Sequence, residues 1–103
     1  RPSLYGAEYT TILANRTSAA VKVSSRLVGK HCETGDIIIR EIDLPEDIVP
    51  GDLLAVPATG AYGRSMASNY NHVPRPSVVA VKDGKARVIV RRESIEDLLA
   101  LDI

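Results

Sequence analysis

The sequence predicts a mainly β domain, a small β-barrel or sandwich of about six strands with a short C-terminal helix. Three observations lead there. Short runs of β-branched and aliphatic residues recur along the chain, some alternating at period two. Clusters of Gly, Pro, Asn and Asp separate them. Two of the runs flank Asp83-Gly84, the strongest local hairpin signal in the chain.

Taken in order, Arg1-Pro2-Ser3-Leu4-Tyr5-Gly6 reads as a loop or turn. Residues 7–14 hold the Thr, Tyr and Ile of a strand, and Asn15-Arg16-Thr17-Ser18 turns the chain. Residues 20–28 alternate loosely, and 36–42 form a β-branched strand bounded by Leu44-Pro45. Two prolines and a Pro-Gly step make 44–52 a connection rather than a helix. Residues 53–57 are a short apolar strand that Pro57 closes or marks as an edge. In the polar stretch 59–71, Ala61-Tyr62 lies between glycines, and 65–70 is expected to make one or two helical turns. The prolines extend 71–76, and residues 77–82 and 85–90 pair about Asp83-Gly84. Ser94 caps the last helix, Asp97 completes a capping box, and Ile95, Leu98 and Leu99 supply an apolar face.

The chain of 103 residues is one domain by length, with 13 basic and 13 acidic side chains. A net charge of zero favours neither nucleic acid nor an anionic membrane as partner. No apolar run approaches the roughly 18 residues of a membrane span. The one cysteine forms no internal disulfide, which fits a reducing, cytoplasmic compartment. The chain starts on Arg1-Pro2 without an initiator Met, and the expectation is that it was cut from a longer polypeptide.

Chemistry concentrates at His31-Cys32-Glu33-Thr34-Gly35-Asp36. It sets a thiol beside a carboxylate on a glycine-bearing turn between two strands, where a reactive group is held without being buried. An ordinary thiol, with a pKa of about 8.5, is mostly protonated at neutral pH and so can donate a proton. Most lone cysteines are small buried hydrophobes. The polar neighbours argue instead for a position near solvent or an interface. Tyr62, on glycine-flanked backbone, offers a π face and a hydroxyl to a ligand, or else plugs a core without Phe or Trp. Arg1 has the donor fork for a carboxylate, but a terminal Arg is more often a solvated charge.

Several chemistries are excluded. No Cys or His pair has metal-ligand spacing. In an extended segment His31 faces away from Cys32, a poor pairing for a cysteine hydrolase. There is no Walker motif, and Gly60-Ala61-Tyr62-Gly63 does not fit a dinucleotide turn.

Arg1-Pro2-Ser3-Leu4-Tyr5, His31-Cys32-Glu33-Thr34-Gly35-Asp36, Pro50-Gly51-Asp52, Gly60-Ala61-Tyr62 and Met66-Ala67-Ser68-Asn69-Tyr70-Asn71 follow one another in an order that resembles the diaminopimelate decarboxylases. These are pyridoxal 5'-phosphate enzymes that make lysine from meso-diaminopimelate. The resemblance runs through essentially the whole chain. It implies that residues 1–103 are the C-terminal β domain of a two-domain lyase, of the kind shared with alanine racemase and ornithine decarboxylase. The N-terminal (β/α)8 barrel, which holds the cofactor covalently through a lysine, lies outside this sequence.

Roles follow by resemblance. Cys32 matches the catalytic proton donor to the α-carbon after carbon dioxide leaves, and Glu33 the residue that meets the substrate's distal ammonium. Both are implied to complete the partner subunit's active site in a homodimer. Arg1 and Tyr5 match residues at the distal carboxylate, which reverses the solvated reading of Arg1. Tyr62 matches the tyrosine that binds cofactor and substrate within its own subunit. The physical sense is independent of the name: diaminopimelate differs from lysine by a second carboxylate, so a selective site needs a cation there and an anion at the neighbouring ammonium. Two alternatives stay open: a related decarboxylase acting on ornithine, arginine or a carboxylated polyamine precursor, and a non-catalytic β module serving assembly.

Overall fold

The computed structural model describes residues 6–103; Arg1 and Tyr5, both expected at the substrate site, lie outside the described residues. The chain divides into two compact units, one running to Arg64 and the other from Ser65.

Among the described residues six strands form, paired as three two-stranded antiparallel sheets, with two single-turn α-helices and one 3-10 turn. The chain is thus mainly β, with sheets that do not close into a barrel among the described residues. In the first unit, β1 (Ile12–Leu13) pairs with β4 (Leu54–Ala55), both shorter than the runs that predict them. The buried Thr11 extends this contact, its hydroxyl donating to the Ala55 carbonyl at 3.0 Å.

The larger ribbon joins β2 (Lys22–Val28) to β3 (Ile37–Pro45). β3 runs through Leu44-Pro45 instead of stopping before it, because Leu44 has a buried position to fill and Pro45 falls at the strand end, where a missing donor costs little. Between the pairs Ser25–Ile42 and Leu27–Ile39, β2 advances two residues while β3 advances three. This bulge takes up Arg40-Glu41, both exposed, and rephases the alternation. Ile39 and Leu44, an odd number of residues apart, are therefore both buried, at 6% and 8% exposure.

A hub of charge ties the loops of this unit together. The Arg16 guanidinium forks onto Asp52, Nε to Oδ1 at 3.0 Å and Nη2 to Oδ2 at 2.7 Å, while Nη1 reaches Asp47 Oδ2 at 3.2 Å. Asn15 Nδ2 and the Val49 amide also donate to Asp52, whose side chain is 7% exposed. Arg16, then Asn15 and the Val49 amide, hold the Asp52 carboxyl far below the usual carboxylate range. Pro50-Gly51 forms the turn that presents Asp52, with Gly51 at φ 100° and the Asp52 amide donating to the Val49 carbonyl.

In the second unit, β5 (Val78–Lys82) and β6 (Lys85–Val90) form the expected hairpin. Asp83 and Gly84 have φ of 52° and 72°, the left-handed pair that a two-residue turn requires. Glu93 gathers the segment before the hairpin: its carboxylate accepts from Arg75 Nε at 2.5 Å, the Arg75 amide at 2.8 Å and Asn69 Nδ2 at 2.6 Å. Helix α2 (Ile95–Leu98) begins with the expected capping box of Ser94 and Asp97. Arg91 adds a fork onto Asp97.

The helical turns expected over 65–70 do not form. Helix α1 instead occupies Gly60–Gly63, closed by the Gly63 amide on the Thr59 carbonyl at 2.9 Å. Over the later stretch, side chains compete with the backbone. Ser68 Oγ accepts from the Tyr70 amide, Asn69 is committed to Glu93 and the Val73 carbonyl, and Asn71 within the 3-10 turn Tyr70–His72 is left-handed at φ 56°.

Candidate active site

The eight-residue connection between β2 and β3, residues 29–36, carries Cys32 and Glu33. Its base is closed by the Gly29 amide on the Asp36 carbonyl at 2.9 Å. Inside, Asp36 Oδ2 accepts from the His31 amide at 2.8 Å and from His31 Nδ1 at 3.1 Å. The Glu33 amide donates to the His31 carbonyl at 2.8 Å, which turns the chain sharply at Cys32. The carboxylate is packed so closely against Gly29 that a Cβ there would collide with it.

Cys32 is exposed, as its polar neighbours predict, while His31 and Glu33 are half-buried. The segment is bent, not extended, so the expectation that His31 faces away from Cys32 by strand alternation does not apply. His31 is engaged by Asp36 in any case, with its ring as a brace of the loop.

Tyr62 sits on α1 with 69% exposure, which answers the alternative that it plugs a core. A Cβ built at Gly60 or Gly63 meets nothing within 4 Å, so the backbone on both sides of it is open. A cleft of about 580 Å3 lies elsewhere, between residues 6–10 and 38–41, and none of Cys32, Glu33 or Tyr62 lines it. Among the described residues, no three His, Cys, Asp or Glu side chains gather into a metal site. No described helix is long and apolar enough to cross a membrane.

Two structural features escaped sequence reasoning, the Asp36 brace and the Arg16–Asp52 fork. For the first, a signal existed in Gly29 placed directly at the strand end opposite Asp36.

Comparison with known proteins places this geometry in context. The family described as "Pyridoxal-dependent decarboxylase, C-terminal sheet domain" matches residues 1–60. Over all 103 residues the chain is 57% identical to a diaminopimelate decarboxylase of Mycobacterium tuberculosis strain H37Rv and 52% identical to one of Bacillus subtilis, covering 23% of each. It is similar to the crystal structure of a diaminopimelate decarboxylase from M. jannaschii in co-complex with L-lysine, with a TM-score of 0.87 and 37% identity, over 100% of this chain and 23% of that one. The chain thus spans about a quarter of the length of these relatives. On a match across more than half of its residues and a sheet structure to go with it, the chain belongs to the pyridoxal-dependent decarboxylases, as their C-terminal sheet domain.

Proposed function

We propose that residues 1–103 form the C-terminal β domain of a diaminopimelate decarboxylase, a lyase that releases carbon dioxide from meso-diaminopimelate to leave lysine. The supporting observation is likeness along the whole chain to proteins of that name, at 57% identity to one of them. It is strengthened by an exposed thiol held at the tip of a tied loop.

The cofactor in this reading is pyridoxal 5'-phosphate, held covalently by a lysine outside this chain. When bound, it supplies the electron sink for the pair left behind by departing carbon dioxide. The residues present suit such a group. Tyr62 offers an exposed ring face and hydroxyl on backbone open at both flanking glycines.

Cys32 Sγ gives its proton to the α-carbon. The bond to the carboxyl carbon has broken with its electron pair left on the α-carbon, the new C–H bond takes up that pair, and the thiolate regains a proton from water. Glu33, next along the loop, meets the distal ammonium. Arg1 and Tyr5 bind the distal carboxylate. Tyr62 orients substrate and cofactor in its own subunit, while Cys32 and Glu33 complete the partner subunit's site in a homodimer. The N-terminal (β/α)8 domain is the other half of each site, and the three ribbons take part in a small barrel or sandwich closed in the full-length protein. The enzyme works in the cytoplasm, where a lone thiol stays reduced.

The test uses the full-length enzyme. Carbon dioxide release is measured on meso-diaminopimelate, ornithine, arginine and a carboxylated polyamine precursor, and diaminopimelate is expected to be turned over far faster than the rest. Faster release from any other overturns the substrate. Cys32→Ala is expected to lower turnover about 10²- to 10⁴-fold, the usual worth of a positioned acid, with cofactor absorbance retained; unchanged turnover overturns the proton donor. Glu33→Gln is expected to erode discrimination against substrates lacking the distal ammonium, and intact discrimination removes that role.

A further inference from the structure

We propose that Asp36 is the positioning residue for the Cys32–Glu33 tip and that Gly29 is its socket, an inference that rests on the reading of Cys32 as proton donor. The acid is the last residue before β3, so its backbone is fixed by a strand. Its side chain, 13% exposed, turns back into the loop instead of outward to water. There one oxygen, Oδ2, accepts both the amide and the ring Nδ1–H of His31. Those two bonds hold the residue immediately before Cys32 by its backbone and by its side chain at once. The His31 carbonyl in turn accepts from the Glu33 amide, so the residues on both sides of the thiol are referred to the same carboxylate.

Room for this arrangement comes from the opposite strand end. The Asp36 carboxyl lies where a side chain at position 29 would begin, and any Cβ there collides with Cγ and both oxygens. Gly29 has no need of glycine for its backbone angles, since it is not among the residues with positive φ. Its lack of a side chain serves the carboxylate alone. An eight-residue loop carries many conformations, and a proton donor displaced by about 1 Å can lose on the order of 10²-fold in rate. Asp36 acts through His31 on where Sγ and the Glu33 carboxylate sit, and does not itself touch substrate.

The experiment compares Gly29→Ala, Asp36→Ala, Asp36→Asn and the double variant Gly29→Ala/Asp36→Ala in the full-length, cofactor-loaded enzyme, with Cys32→Ala beside them. Gly29→Ala and Asp36→Ala are each expected to lower kcat about 10- to 100-fold and to raise KM, with cofactor absorbance near the parent and a lower thermal midpoint. The solvent deuterium isotope effect on kcat is expected to grow in both, because proton delivery becomes slower than the other steps; a role confined to stability would not move it. Asp36→Asn, which keeps an acceptor for the His31 amide, is expected to fall between parent and Asp36→Ala. In the double variant the new methyl group finds the space the carboxylate has left, so the second substitution is expected to add nothing. Parent-like kcat, KM and isotope effect in Gly29→Ala and Asp36→Asn overturn the proposal, as do losses that multiply in the double variant. If those variants are parent-like while Cys32→Ala is inactive, positioning fails and the proton donor stands. If Cys32→Ala keeps full turnover, the reading of the site fails instead.

Discussion

The β2–β3 and β5–β6 ribbons are both antiparallel hairpins, yet they are specified in different ways. β5–β6 is closed by two residues, Asp83 and Gly84, through their left-handed backbone angles. β2–β3 is closed by eight residues braced from inside by a carboxylate, and its strands bury Ile39 and Leu44, whereas Val88 of β6 is 59% exposed. The lesson is that a turn can be made cheaply when nothing has to be presented from it. A longer loop needs side chains spent on its shape.

Substitutions in the ribbons and beside them sharpen this contrast. Leu44→Ala is expected to cost about 2–5 kcal/mol in urea unfolding, because a buried leucine leaves a cavity. Val88→Ala in the 103-residue chain is expected to stay within about 0.5 kcal/mol, as at other exposed positions. Comparable losses at the two sites would erase the difference between the ribbons. Gly84→Ala forces a side chain into φ 72° and is expected to cost about 1–2 kcal/mol in stability with turnover per folded enzyme unchanged. Gly29→Ala differs in that the folded enzyme is expected to lose rate as well. A turnover loss in folded Gly84→Ala would show that the tight hairpin also matters to the site. Ser94→Ala removes the cap of α2 and is expected to cost about 1 kcal/mol, read as a lower thermal midpoint.

A further effect is electrostatic and belongs to the second unit. Arg75, through its side chain and then its amide, pushes the Glu93 carboxyl down from 4.5 to about 2. A carboxyl depressed on folding stabilises the folded state above its unfolded value and ceases to do so as pH falls through the folded one. The stability advantage of the parent over Glu93→Gln is therefore expected to be full above about pH 4.5, to shrink between there and pH 2, and to vanish below. An advantage independent of pH across that window would mean that packing, not the ion pair with Arg75, is what Glu93 contributes.

What was legible in the sequence was whatever neighbours in the chain decide. Alternation over 20–28 and 36–42, the Asp83-Gly84 turn and the Ser94–Asp97 box all depend on residues close in sequence, and all formed. The exposure of Cys32 was legible for the same reason, from the polarity of its neighbours. Arg16 and Asp52 are 36 residues apart, and nothing local in Asn15-Arg16-Thr17-Ser18 says that its cation will meet that carboxylate. The helix expected at 65–70 was lost to Asn69, whose amide bonds to Glu93 24 residues away. The Asp36 brace is local, but it was masked by the more conspicuous chemistry of the thiol it surrounds.

The slipped register at Arg40-Glu41 has a consequence for how such a ribbon can vary. Because the extra residue there lets Ile39 and Leu44 share a side at an odd spacing, dropping one of the two charged residues would straighten the ladder, leave those two side chains an even number of residues apart and keep both inside. Loss of one codon at this spot therefore needs no compensating change in β2, whereas loss of one codon in the regularly paired stretch from Ile42 to Pro45 would have none of this slack.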